Sequence, residues 1–356
     1  MKSAIRDIFP GGNTPFGFHS YYNHILSQRK AQKLFCIKGG PGVGKSTLMK
    51  ELAELYISKG ENVDRFWCSS DPSSLDGVLL KDRNVAIVDG TAPHIIDPVN
   101  PGAVDEIVNL GDFLNTEGLR KERDKIISCN EMISERFKAA YVYLKRASSL
   151  YEHMESILEE VVCDVSLDIH KAMISDSKVN GRGEVRRFFA GAITPEGVKS
   201  SVETLCRNID RVFIVKAPVG AGTYHTLKRL SNELSCRGFD VEEYYCPMKP
   251  DIRLEHIVSE EAGIAVFTVN EYHGRELITE DYSLLLDACE AEKRLTGFAR
   301  DTYERMKLQS GEDIQAAVSM LKSAKEMHDM LESYYIRNID FKRIKKVKRE
   351  IIAKIG

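Results

Sequence analysis

The sequence predicts an α/β fold made of two tandem parallel-sheet repeats, each with a long helical hairpin appended. Three observations predict it. A glycine-rich loop, Gly39-Gly40-Pro41-Gly42-Val43-Gly44-Lys45-Ser46, stands between an apolar run and a helical pattern. The chain resembles itself about 180 residues further on (Phe9 to Phe189). Each copy then ends in a long stretch of apolar residues at helical spacing.

The loop comes first in the argument. Leu34-Phe35-Cys36-Ile37 reads as a buried parallel strand. Leu48, Leu52 and Leu55 follow at helical spacing, and Gly60 supplies a stop. The stretch between fits G-x-x-x-x-G-K-[ST], the phosphate-binding P-loop or Walker A pattern. Its glycines let successive N–H groups turn inward and approach phosphate oxygens. The helix that begins near Lys45 aims its N-terminal amides and dipole at the same anion. Lys45 adds a point charge on the β- and γ-phosphates, and the Ser46 hydroxyl is a hard oxygen ligand for Mg²⁺. The expected nucleotide-binding residues are therefore Gly39, Gly40, Pro41, Gly42, Val43, Gly44, Lys45, Ser46 and Thr47.

Composition bounds the alternatives. A chain of 356 residues has room for two domains, each with its own core. With 43% hydrophobic and 29% charged residues and a net charge of −3, no whole-chain field points to nucleic acid. Eight cysteines without a C-x-x-C pair read as reduced thiols. Residues 1–8 carry charges and no apolar core, so no signal peptide is expected. No apolar run approaches the ~20 residues of a membrane span. A cytoplasmic protein is expected.

The repeat sets the domain plan. Phe, Gly, Thr, Pro and Gly of Phe9-Pro10-Gly11-Gly12-Asn13-Thr14-Pro15-Phe16-Gly17 recur in Phe189-Ala190-Gly191-Ala192-Ile193-Thr194-Pro195-Glu196-Gly197. Residues 34–38 recur as 212–216, Gly42 and Gly44 as Gly220 and Gly222, Gly60 as Gly238, Cys68 as Cys246, and residues 85–88 as 264–267. Ala139-Ala140 and Leu144-Lys145 match Ala316-Ala317 and Leu321-Lys322. The expected domains are residues 1–178 and 185–356, joined by the polar residues 175–184.

In order, the first half reads as a short helix over 21–29, the loop strand over 34–38, and the loop helix. A second strand over 63–68 ends in Ser69-Ser70-Asp71-Pro72, a third covers 85–88, and a proline-rich loop covers 91–101. From 117 to 162 the pattern is helical. Leu144, Ala147, Leu150, Met154, Ile157 and Val161 mark a stripe that completes the core or forms an arm for a protein partner. Near the end, Lys342, Arg343, Lys345, Lys346, Lys348 and Arg349 interleave with Phe341, Ile344, Val347 and Ile351. Such a basic amphipathic helix packs its apolar side on its own domain, or touches lipid or an acidic partner.

Asp89 ends the apolar run 85–88, which is the Walker B position: a carboxylate that reaches Mg²⁺ beside Ser46. In the second half Gly39 becomes Ala217, Lys45 becomes Thr223, Ser46 becomes Tyr224 and Asp89 becomes Thr268. One working nucleotide site per chain is expected. Lys216, His225 and Arg229 near the second loop are candidates to reach across as charge donors.

The loop, the Asp-ended strand and the α/β order resemble the P-loop NTPase superfamily. Gly11 to Gly17, Asp89-Gly90-Thr91-Ala92-Pro93-His94 and Pro101-Gly102-Ala103-Val104-Asp105-Glu106 are similar to a little-characterised group of bacterial duplicated P-loop proteins regarded as ATPases. The resemblance implies ATP and Mg²⁺. No N-K-x-D stands where a guanine-reading loop is expected, so ATP is favoured over GTP. Lys45, Asp89 and Asp71 are the expected catalytic residues. The water-polarising group is open among Asp71, Asp105, Glu106 and His94, and Arg120 and Arg123 are candidate charge stabilisers. Three functions fit: ATP hydrolysis driving a conformational change, phosphoryl transfer to a small nucleoside or metabolite with Asp71 as base, and a nucleotide-responsive interaction protein with little turnover.

Overall fold

Short links decide the first sheet. Only seven residues separate β5 (Val63–Trp67) from β6 (Leu75–Leu80), and four separate β6 from β7 (Val85–Asp89). A parallel return needs a crossover of a dozen or more residues, so β5, β6 and β7 form an antiparallel meander. Around it the remaining strands run parallel. β1 (Ile5–Ile8) borders β5, β4 (Lys33–Lys38) borders β7, and β8 (Asp105–Asn109) borders β4, giving the order β1-β5-β6-β7-β4-β8. The computed structural model describes residues 4–93, 96–159, 181–219, 221, 223–270, 272, 283–287 and 290–356. Among them the protein is an α/β chain with two mixed sheets, which corrects the expectation of wholly parallel ones. β6 is not among the strands the sequence predicts, because its six residues are all buried and show no alternation.

The second sheet has the same order. β9 (Val185–Phe188), β13 (Val241–Tyr245), β14 (Leu254–Ser259), β15 (Ile264–Val269), β12 (Arg211–Lys216) and β16 (Ser283–Asp287) stand in sequence across it, with β14 antiparallel to both neighbours. Hairpins of β2 (Gly11–Thr14) with β3 (Gly17–Ser20), and of β10 (Gly191–Thr194) with β11 (Gly197–Ser200), complete the parallel between the halves. The expected helix over 21–29 is reduced to a single 3₁₀ turn, Tyr22–His24. Most of the expected linker, 175–180, lies outside the described residues.

The sheets meet at their β1 and β9 edges. Phe9 and Phe189 exchange backbone hydrogen bonds of 3.1 and 3.0 Å. Just before them, the fully buried Arg6 donates to both oxygens of Asp64, at 2.7 and 2.6 Å, and to both of Glu242, at 2.8 and 2.9 Å. Arg186, the counterpart of Arg6 on β9, also pairs with Glu242, the counterpart of Asp64. Two arginines and three carboxylates, Glu260 being the third at 2.7 Å from Arg6, thus close the junction, and the surrounding core (Ile8, Phe66, Phe188, Tyr244) is shared by both halves.

Above the sheets run two long helices, Arg123–Glu159 and Gly297–Ile336. The first is one unbroken helix of 37 residues, about 55 Å at 1.5 Å per residue. It is not the hairpin expected within the first half; its partner is the corresponding helix of the second half. Arg136 bonds Ser323 at 3.2 Å and Arg146 pairs with Asp313 at 3.1 Å, so the two run antiparallel. Ala140, Leu144, Ala147, Tyr151, Met154 and Leu158 are buried at alternating spacings of four and three. Ser310, Ile314, Ala317, Leu321 and Ala324 are buried likewise on the partner. That 3.5-residue period is the seam of a coiled coil, and the alanines let the axes approach. The stripe announced a partner face, but periodicity does not say which helix supplies it.

The final helix, Phe341–Ile355, returns to the first half. Its Ile344, Val347 and Ile351 are buried with Leu48, Met49, Leu52 and Tyr56 of the loop helix α1 (Lys45–Ser58), not on its own sheet. Lys342, Arg343, Lys345, Lys346 and Arg349 face outward. Among the described residues no helix is long and apolar enough to cross a membrane.

Candidate functional site

The glycine loop joins the C-terminal end of β4 to α1. Gly42 (φ +66°) and Gly44 (φ +88°) hold left-handed conformations that a side chain resists, and Gly44 is the N-cap of α1. Lys45 folds back over its own loop: its Nζ donates to the carbonyls of Gly39 at 2.8 Å and Gly40 at 2.9 Å. The same ammonium lies 3.5 Å from Asp89 Oδ2.

Asp89 is brought there by register. It closes β7 and stands opposite Ile37 of β4, two residues before the loop. Its other oxygen accepts from Thr91 N at 2.8 Å, and Thr91 Oγ1 donates to Gly39 O at 2.9 Å. The Asp-ended strand is therefore tied to the glycine loop on both sides. Ser46 Oγ accepts from Leu75 N at 3.0 Å, which sets the start of β6 over the first turn of α1.

Asp71 sits in the β5–β6 turn, which it organises. It accepts from Ser73 N at 3.2 Å, Ser73 Oγ at 2.7 Å and Ser74 Oγ at 2.9 Å, and lies 3.5 Å from Lys325 Nζ. Burial works against its charge, but these hydroxyls and Lys325 outweigh it and hold the carboxyl below its ordinary value.

These groups line one cavity of about 590 Å³, within the size range of ligand pockets. Pro41 through Thr47, Asp71 and Asp89 form its floor with Asp76. Asn130, Ile133 and Phe137 of the first long helix and Lys325, His328, Glu332 and Tyr335 of the second form its roof. Roof and loop touch: a Cβ at Gly40 would sit 2.6 Å from Tyr335 Cε1, and one at Gly42 would sit 3.0 Å from the Glu332 carbonyl oxygen.

The roof residues and Asp76 escaped the sequence reading. Asp76 is a buried carboxylate at the start of β6, held at 2.6 Å by the Tyr22 hydroxyl; a charge inside the run 75–80 was the available signal. Lys325, His328, Glu332 and Tyr335 share one helix face. Nothing local places that face over a loop nearly 300 residues earlier.

Other expected candidates lie elsewhere. Asp105 accepts from Val99 N, Asn100 N and Gln28 Nε2 at 2.6–2.9 Å. Glu106 pairs with Lys33 and Lys354. Arg123 is exposed and pairs with Asp124. Arg120, Lys216, His225 and Arg229 do not line the cavity. His94 lies outside the described residues.

The matching place in the second half is filled. Tyr151, Met154, Leu158, Leu295 and Tyr303 pack over Val219, and the Tyr303 hydroxyl donates to the Val219 carbonyl at 3.1 Å. Where the first half has Asn13 and Ser70, the second has Ile193 and Met248, which line an apolar cavity of only about 30 Å³. Gly220 and Gly222 lie outside the described residues.

Comparison with protein-family models, with curated proteins and with solved structures gives no match for this chain.

Proposed function

We propose that this chain is a Mg²⁺-dependent ATP-binding protein of the P-loop kind, an ATPase with one working site in its first half. The observation that carries the reading is convergence. Lys45, Ser46 and Asp89, chosen by spacing alone, meet at the edge of one cavity of about 590 Å³ beside a helix N-terminus. On this reading the triphosphate displaces the Gly39 and Gly40 carbonyls from Lys45 and takes the amides of residues 42–47. Ser46 Oγ, which accepts one hydrogen bond, and Asp89 Oδ2 are hard oxygen donors suited to Mg²⁺. The metal would supply charge neutralisation at the β- and γ-phosphates. The roof helices, seated against the loop, would limit the access of bulk water to the phosphates.

The proposal also keeps one nucleotide per chain. Thr223→Ala is expected to leave Mg·ATP affinity unchanged, with one site in titration calorimetry; a second saturable site would contradict it.

The kinase reading needs Asp71 as a base, and its lowered proton affinity makes it a weak one. Asp71→Asn is therefore expected to change turnover by less than about tenfold. A fall of 10² or more at unchanged affinity, on the order expected for a lost general base, would restore the phosphoryl-transfer role. A second reading, nucleotide-gated interaction with little turnover, is favoured by the seating of the long helix on the loop. Phosphate release without any added acceptor separates it from an ATPase.

A further inference from the structure

The attacking water of the proposed reaction still lacks a partner. In the first half Asp105 and Glu106 are held by other groups away from the cavity, and Asp71 is engaged by Ser73, Ser74 and Lys325. The second half supplies a different carboxylate. We propose that Glu332, carried by the long helix Gly297–Ile336, is the catalytic base of the first half's site, with His328 as its positioning residue; this rests on the ATPase reading above.

Three observations carry the proposal. Glu332 is laid against the glycine loop together with Tyr335 and Ile336, and it is the carboxylate among them: a Cβ at Gly42 would sit 3.0 Å from its carbonyl oxygen and 3.2 Å from its Cβ. It lines the cavity that holds Lys45, Ser46 and Asp89. Among the described residues it makes no ion pair with a lysine or arginine, and the nearest titratable side chain on its own helix is His328, Nδ1 to Oε1 at 3.8 Å.

His328 is itself out of place as a packing residue. It falls on the seam that runs Ile314, Ala317, Leu321, Ala324, His328, Leu331, where the neighbouring positions are apolar or small. Its Nδ1 is buried and has no hydrogen-bond partner among the described residues. Burial lowers its proton affinity; Glu332, Asp329 and Asp71 oppose this and Lys325 adds to it, and the balance favours a neutral ring. A neutral imidazole one turn before Glu332, its Nδ1 3.8 Å from Oε1, is placed to donate a hydrogen bond to the carboxylate on a small side-chain shift, without neutralising it.

In the step itself, the water oxygen bonds to the γ-phosphorus as the bond from that phosphorus to the bridging oxygen of ADP breaks. Glu332 takes one proton from the water and releases it to solvent, and the products are ADP, inorganic phosphate and a proton. The second repeat, having lost its own cradle, would complete the first one's chemistry.

The test uses the full chain. Glu332→Gln is expected to bind a non-hydrolysable Mg·ATP analogue within about threefold of the parent while phosphate release falls on the order of 10²–10³-fold. Glu332→Asp should recover part of the rate. His328→Gln should lower kcat less, and shift its pH profile, at unchanged KM. Phosphate release by Glu332→Gln within threefold of the parent overturns the proposal. So does a parallel loss of analogue affinity, which would make Glu332 a clamp on the loop. If the parent chain binds Mg·ATP through Lys45 yet releases no phosphate, the ATPase reading fails and takes the base with it. If Lys45→Ala hydrolyses normally, the site itself is misplaced.

Discussion

Lys45→Ala is expected to weaken Mg·ATP binding by at least about 100-fold and to abolish turnover. The side chain is poised at the loop, with its ammonium 2.8 and 2.9 Å from two loop carbonyls and 3.5 Å from Asp89. On binding, it would exchange neutral carbonyl partners for charged phosphate oxygens. Charge-assisted hydrogen bonds contribute roughly 1.5–3 kcal/mol each, and two of them correspond to about two to four decades in affinity. Lys45 is not among the residues of the apolar core beneath α1, so the variant should unfold within a few degrees of the parent. Titration calorimetry with the thermal midpoint as a folding control decides it: unchanged affinity in a folded variant would sink the site assignment.

Arg6→Met is expected to be the most damaging single change to stability, at about 3–5 kcal/mol, the range for removing one partner of a buried ionic network. Arg6 is fully buried between Asp64 and Glu242, and it also reaches Glu260 at 2.7 Å. Methionine fills much of the volume but leaves Asp64 without its bidentate donor. For a chain this long the loss corresponds to a fall in thermal midpoint on the order of 10 °C. The pH dependence has a definite sign. Burial disfavours ionised Asp64 and Glu242, but Arg6, joined by Arg186 at Glu242, holds both carboxyls below their usual range, Glu242 far below it. A carboxyl lowered by folding contributes stability that is complete above its unfolded value, about 4, and is lost as the pH falls below that. The parent should therefore lose stability steeply from pH 5 towards pH 3, and Arg6→Met should lose less over the same interval. Equal slopes in denaturant titrations would show that this junction is not what acid attacks.

The candidate site was legible where the chemistry is local. Gly39 through Thr47 occupy consecutive positions, and Asp89 was marked by the end of an apolar run; β-register alone then brought it to Lys45. Asp71 was legible as a strand-end carboxylate, but not the hydrogen bonds from Ser73 and Ser74 by which it also organises its turn. The roof was not legible. Its residues sit on two helices whose patterns are those of any half-buried helix, and the contact of Tyr335 and Glu332 with Gly40 and Gly42 spans almost the whole chain. The antiparallel β6 was missed for a related reason. A strand buried on both faces has no two-residue alternation to reveal it, although the shortness of its two links could have shown its direction.

By itself the sequence determined the duplication, the strand–loop–helix cradle and the loss of Lys45, Ser46 and Asp89 equivalents in the second half, because each of these is written in neighbouring residues or in direct repetition. Only the tertiary structure decided that the halves join edge to edge through Arg6 and Arg186, that the long helices pair across the halves, and that the second half roofs the first half's cavity. A stripe or an edge strand states that a surface must be covered, and many surfaces would cover it equally well by local rules. The choice among them is made by the packing of the whole chain.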